Sequence, residues 1–152
     1  MATADEEAVM PAEIIQSLEL LMFEAIGMTT VALANASTGE LTVAQWRALV
    51  VIGRSDEVRV GDIAGAVGMS LPSTSRLVQR LERRQLVTTA RDETDRRATL
   101  VRLTARGHEL RERVVACRRE LMEQALAARA GTLPRALPAG LRALATAFDQ
   151  YA

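Results

Sequence analysis

Apolar residues recur at helical spacing from Pro11 onward: Ile14, Ile15, Leu18, Leu21, Met22, Ala25, Met28, Ala32 and Leu33 share one broad stripe. That recurrence every three to four residues predicts an amphipathic helix, and Pro11 suits its first turn. The stripe is wider than a lone surface helix needs, and it ends at the turn-forming residues 35–39. Thr42 followed by Gln45 reads as a capping box. It opens a short helix with Trp46, Leu49, Val50 and Ile52 near one face. Residues 1–10 are acidic and unpatterned and are expected to be a disordered tail.

After an extended piece at residues 58–60, the pattern changes to two short helices. The first covers residues 61–67, turns at Gly68, and hands over to a second, residues 71–85, which Ser70 caps. Pro72 falls in the first turn, where a missing amide donor costs nothing. Ala64 and Gly68, four residues apart, supply the small contact and the turn that a helix-turn-helix requires. Residues 86–91 and 98–103 are β-rich runs around a polar tip, and so predict a hairpin. Thr104 begins a long helix striped by Leu110, Val114, Cys117 and Leu121. A last helix carries Leu141, Leu144 and Phe148, and the pattern fits a start near Thr132 or at Pro138.

Composition narrows the classes. The chain has 152 residues, 49% of them hydrophobic and only 3% aromatic, which favours packed helices over a β-sandwich. Net charge is zero, yet its distribution is uneven. Residues 1–60 hold three Arg against nine acids (−6), residues 61–106 nine against five (+4), and residues 107–152 seven against five (+2). Attraction to phosphates follows the local field, so a basic segment beside an acidic one can still engage DNA. One cysteine, an N-terminus without a basic leader pattern, and apolar runs judged too short to span a membrane lead to the expectation of a cytoplasmic protein.

The helix over residues 71–85 can be read by angle. Thr74, Leu77, Val78 and Leu81 form its apolar side, and Pro72, Ser75, Arg76, Gln79 and Arg83 lie opposite, with Ser73 and Arg80 at the margin. Arg grips guanine, Gln grips adenine, and Ser reaches phosphates or base edges. Ser73, Arg76, Gln79 and Arg80 are therefore the candidate groove contacts, and Arg83 and Arg84 the candidate phosphate contacts. Ser70 and Thr74 complete the set, although Thr74 also falls on the apolar side. A solvated polar face of an ordinary helix has the same composition. The hairpin tip moves the balance, because Arg96 and Arg97 suit a narrow minor groove; the competing account is a polar turn with local Asp–Arg pairing.

These runs resemble the multiple-antibiotic-resistance regulator (MarR) family. Residues 70–82 are similar to its recognition helix, residues 92–98 and 101–107 to its wing and following helix, and residues 42–46 to the opening of its second helix. The resemblance implies a mainly α, winged helix-turn-helix fold of six helices plus a β-hairpin wing. It also implies dimerisation through residues 11–36 and 105–152, with residues 42–104 forming the DNA-binding lobe of a single domain spanning 11–152. It further implies a homodimeric repressor on a pseudo-palindromic operator with half-sites about 10 base pairs apart, released by a small aromatic or phenolic ligand. By the same resemblance Arg97 precedes Arg96 as the wing-tip contact, and Met22, Phe23, Met28, Trp46 and Arg47 are candidates for the effector pocket. A lone Trp on an apolar face also fits a core position, and the Met residues also fit a dimer interface.

Other chemistry finds little to build on. His108 has no second His nearby, so no metal site is expected. Cys117 lies on an apolar stripe, where a buried inert thiol is the expected state. With one His, one Cys, and neither a phosphate-binding glycine loop nor a hydrolase elbow, no enzyme and no cofactor is expected. A winged-helix module used only for protein–protein contact is the alternative. It does not require Arg on both the helix face and the wing tip.

Overall fold

The computed structural model describes residues 11–37, 41–127, 129 and 131–149. Among them lie six helices and three strands: α1 (Pro11–Ser37), α2 (Val43–Ile52), β1 (Val58–Arg59), α3 (Val60–Val67), α4 (Leu71–Arg83), β2 (Val87–Arg91), β3 (Thr99–Leu103), α5 (Ala105–Ala127) and α6 (Leu137–Asp149). The expected acidic tail, residues 1–10, lies outside the described residues, as does part of the turn at residues 35–39. Residues 35–37 continue α1 rather than ending it.

Local signals set the helix ends. Thr42 accepts from the Gln45 amide while the Gln45 side chain accepts from the Thr42 amide, so two otherwise orphaned donors at the start of α2 are satisfied. α3 stops because Gly68 adopts the left-handed conformation (φ 72°), returning its amide to the carbonyls of Ala64 and Gly65. Ser70 then caps α4, with Pro72 in the first turn. The last helix starts at Leu137, which settles the two starts the sequence offers close to the later one. Pro138 thus takes a first-turn position, where it costs no hydrogen bond.

β1 adds a feature that the sequence pattern showed only as an extended piece. Two residues long, it pairs antiparallel with β3, giving a three-stranded sheet in the order β1-β3-β2. The β2–β3 hairpin is in register from Val87 opposite Leu103 to Arg91 opposite Thr99. Ile52 of α2, Ile63 of α3, Leu81 of α4, Val87, Val101 and Val114 of α5 are fully buried and close one core beneath the helix-turn-helix. Burying side chains of this size contributes about 1.5–3 kcal/mol each.

α1 is different. It packs along α5, yet Leu20, Leu21, Met22, Phe23 and Ile26 are all exposed, Phe23 by 72%. Residues Ala12–Ala36 are also long and apolar enough, by length and composition, to cross a membrane, with a mean hydropathy of 1.5. This corrects the expectation that no such segment exists. Uninterrupted apolar runs are short here, but a window tolerating an occasional Glu is not.

Candidate nucleic-acid interface

α4 presents its faces as the angular reading predicts: Leu77, Val78 and Leu81 are buried, and Arg76, Gln79, Arg80 and Arg83 are exposed. Thr74 corrects the candidate list. It is 0% exposed, and its hydroxyl donates to the Ser70 carbonyl (3.1 Å), so it serves the core and the helix start rather than DNA. Ser70 Oγ donates to Ser73 Oγ (3.0 Å), placing both hydroxyls at the open end of the helix. Arg83 Nε reaches the Gln79 carbonyl (3.4 Å). Arg84, at the C-cap, is half-buried.

The wing is built around Asp92, a buried carboxylate. Its Oδ1 accepts from the Thr94 hydroxyl (2.7 Å), the Thr94 amide (2.9 Å) and the Asp95 amide (3.3 Å), and its Oδ2 from Arg59 (2.6 Å). The two Thr94 bonds, then Arg59 and the Asp95 amide, hold its carboxyl far below the usual carboxylate range against the opposing effect of desolvation. Asp95 closes the tip by accepting from the Arg97 amide (3.0 Å), while the Arg96 and Arg97 side chains are exposed. Both acids therefore shape the loop, and among the described residues neither forms an ion pair with Arg96 or Arg97.

Helix and wing flank common space. A cleft of about 310 Å³ is lined by Leu71 and Ser75 from α4 and by Asp95 and Arg97 from the wing, with Arg59 alongside. Arg59, whose side chain is 49% exposed, ties the start of α3 to the wing through Asp92. Sequence reasoning missed it, because the pairing depends on β1 joining the sheet. Glu82 adds a second tie, accepting from the Thr89 amide (3.1 Å) and hydroxyl (2.6 Å) and so fixing the far end of α4 to β2.

A separate cavity of about 370 Å³ lies among α1, α2 and α5, lined by Ile26, Trp46, Arg47, Val115, Arg111 and Arg118 among others. Trp46 and Arg47 thus line one cavity, and Trp46 also belongs to the core. Met22 and Met28 do not line this cavity; Met22 is among the exposed apolar residues of α1. Three guanidinium-bearing residues on apolar walls suit an anion with an apolar body; Arg111 Nε, which packs close to Gly53, is buried without a hydrogen-bond partner among the described residues. Arg47 Nε donates to the Ala66 carbonyl (3.1 Å) near the end of α3, which links the cavity to the helix-turn-helix. Cys117 is half-buried. Among the described residues no cluster of three or more His, Cys, Asp or Glu is placed to hold a metal ion.

Residues 40–98 match the MarR family. Over 65 residues the chain is 34% identical to YfiV, an uncharacterized HTH-type transcriptional regulator of Bacillus subtilis; the match covers 43% of this chain and 41% of that protein's length. In fold it is similar to Streptococcus pneumoniae FabT, solved in complex with DNA (TM-score 0.73, 17% identity, 92% of this chain and 95% of that one). It is likewise similar to NadR, solved in complex with 4-hydroxyphenylacetate (TM-score 0.63, 24% identity, 97% of each chain).

Proposed function

We propose that this chain, whose residues 40–98 match the MarR family, is a transcriptional regulator of that family that binds double-stranded DNA as a homodimer, α4 entering the major groove and the β2–β3 wing the adjacent minor groove. One observation carries the reading: Leu71 and Ser75 of α4 and Arg97 of the wing tip line one cleft, while Arg76, Gln79, Arg80 and Arg83 stand exposed on the same helix and its apolar side packs into the core. A surface used only for protein contact has no need of arginine on both elements. The exposed Leu, Met and Phe residues of α1, with Leu141 and Phe148 of α6, supply the dimer interface. That use accounts for an apolar α1 in a protein acting on cytoplasmic DNA. The two lobes then meet half-sites about 10 base pairs apart, and occupancy of a promoter by such a dimer represses it.

The cavity beside Trp46 is the effector site, and its three arginines select an aromatic carboxylate. The experiment is selection of duplexes from a random library, followed by addition of 4-hydroxyphenylacetate and, separately, its neutral amide. A pseudo-palindrome is expected to emerge, and the acid, not the amide, to release it. Failure of any duplex to enrich overturns the DNA-binding reading; enrichment without release by the acid overturns the effector alone.

A further inference from the structure

The flank of α4 away from the wing borders a second cleft, of about 280 Å³, closed on its other side by the first turn of α2. Thr42, Gln45, Ser73, Arg76 and Arg80 line it, and no carboxylate does. At 100° per residue, Ser73 and Arg80 fall roughly opposite Leu71 and Ser75, the residues that α4 turns towards the wing. Pro72, Gln79 and Arg83 lie between the two flanks, at the centre of the exposed face. A helix in a major groove directs its central face at base edges, and its flanks face the backbones that wall the groove.

Gln45 adds an independent mark. It is only 7% exposed. Its Oε1 is committed to the Thr42 amide (3.0 Å), and that bond fixes which end of the carboxamide is oxygen. The remaining Nε2 donor has no hydrogen-bond partner among the described residues, in a side chain that lines the cleft. Most of the side chain is buried, but Nε2 itself stays open to solvent at the cleft, where water or an oxygen of a bound partner can accept from it. The first-turn amides of α2 add the positive end of a ten-residue helix.

We infer that this cleft is a phosphodiester seat on the DNA backbone, in which Arg80 and the Gln45 carboxamide donate to phosphate oxygens, so that Arg80 is a backbone contact and not a reader of bases. The assignment rests on the DNA-binding reading above and refines it: Arg76 and Gln79 read the groove, the wing grips one backbone, and α2 with Arg80 grips the other. The capping box thus serves twice, ordering the start of α2 and leaving a donor aimed outward.

Two variants test it, each titrated against a short mixed-sequence duplex and against a duplex selected from a random library. Gln45→Glu preserves the capping box, since Glu accepts from the Thr42 amide equally well, but replaces the donor with negative charge. Roughly tenfold weaker binding to both duplexes is expected, with an unchanged thermal melt. Arg80→Ala, at an exposed position, is expected to weaken both duplexes by the same factor and to reduce the slope of log K against log salt by about one per engaged subunit. A Gln45→Glu protein that binds like the wild type overturns the proposal. So does an Arg80→Ala protein that keeps its salt slope and loses preference for the selected duplex, which makes Arg80 a base contact. Should Gln45→Glu melt early, the Arg80→Ala slope decides alone. If the wild type binds neither duplex, the DNA-binding reading falls with it.

Discussion

Replacing Gly107 with alanine is expected to destabilise the protein by about 3 kcal/mol or more, lowering its melting temperature by roughly 10 °C. The usual expectation is the reverse, because Ala is favoured over Gly inside a helix by up to about 1 kcal/mol. Here a Cβ would stand 2.1 Å from the Leu86 carbonyl oxygen and 3.1 Å from its carbon. Both are backbone atoms, and the oxygen is already held by the Thr104 amide (3.1 Å). Thr104 also donates its hydroxyl to the Gln85 carbonyl (2.6 Å) and caps the Gly107 amide (3.0 Å). The whole entry to α5 is therefore stitched to the base of β2, and a methyl group at Gly107 pries the two apart. Calorimetry of Gly107→Ala beside Gly65→Ala checks this. Gly65 sits in α3 with open space around its Cβ position, so its variant should melt at or above the wild-type temperature. A Gly107→Ala protein as stable as the Gly65 variant would mean that α5 does not approach the sheet so closely.

The second large effect is on recognition. Arg76→Ala is expected to weaken binding to the selected duplex by about 1–3 kcal/mol per half-site while leaving the mixed-sequence duplex almost untouched. Arg76 is exposed on α4, and the buried Leu77 and Val78 that follow it fix the helix against the core. Its guanidinium is thus delivered by a rigid element. Competition binding with both duplexes measures the difference. Equal losses on the two would make Arg76 a phosphate contact and leave Gln79 as the reader.

Much of this was legible in the sequence, and the reason is locality. The capping box at Thr42 and Gln45, the Ser70 cap, the left-handed Gly68 and the two faces of α4 are written within a few residues of where they act. Thr74 follows the same rule: its helical phase puts it on the apolar side, and its hydroxyl is spent locally on the Ser70 carbonyl. What escaped was long-range. β1 is two residues long and becomes a strand only by pairing with β3. Arg59 reaches Asp92 across that pairing, and the Gly107 contact with Leu86 needs β2 and α5 side by side. Met22 and Met28 share a helix with Ile26, but helical phase alone did not say which side of α1 borders the cavity. The membrane-like average of α1 comes from apolar residues interrupted by single acids, so no unbroken apolar run displays it.

The central proposition is that the basic face of α4 and the wing tip meet the DNA backbone together, and the most direct measurement is the affinity for the selected duplex as a function of salt. Each arginine–phosphate contact releases counterions, so log K should fall linearly with log salt, with a slope more negative than roughly −4. Combined replacement of Arg96 and Arg97 by alanine should make that slope shallower. An affinity that does not change with salt would contradict the account.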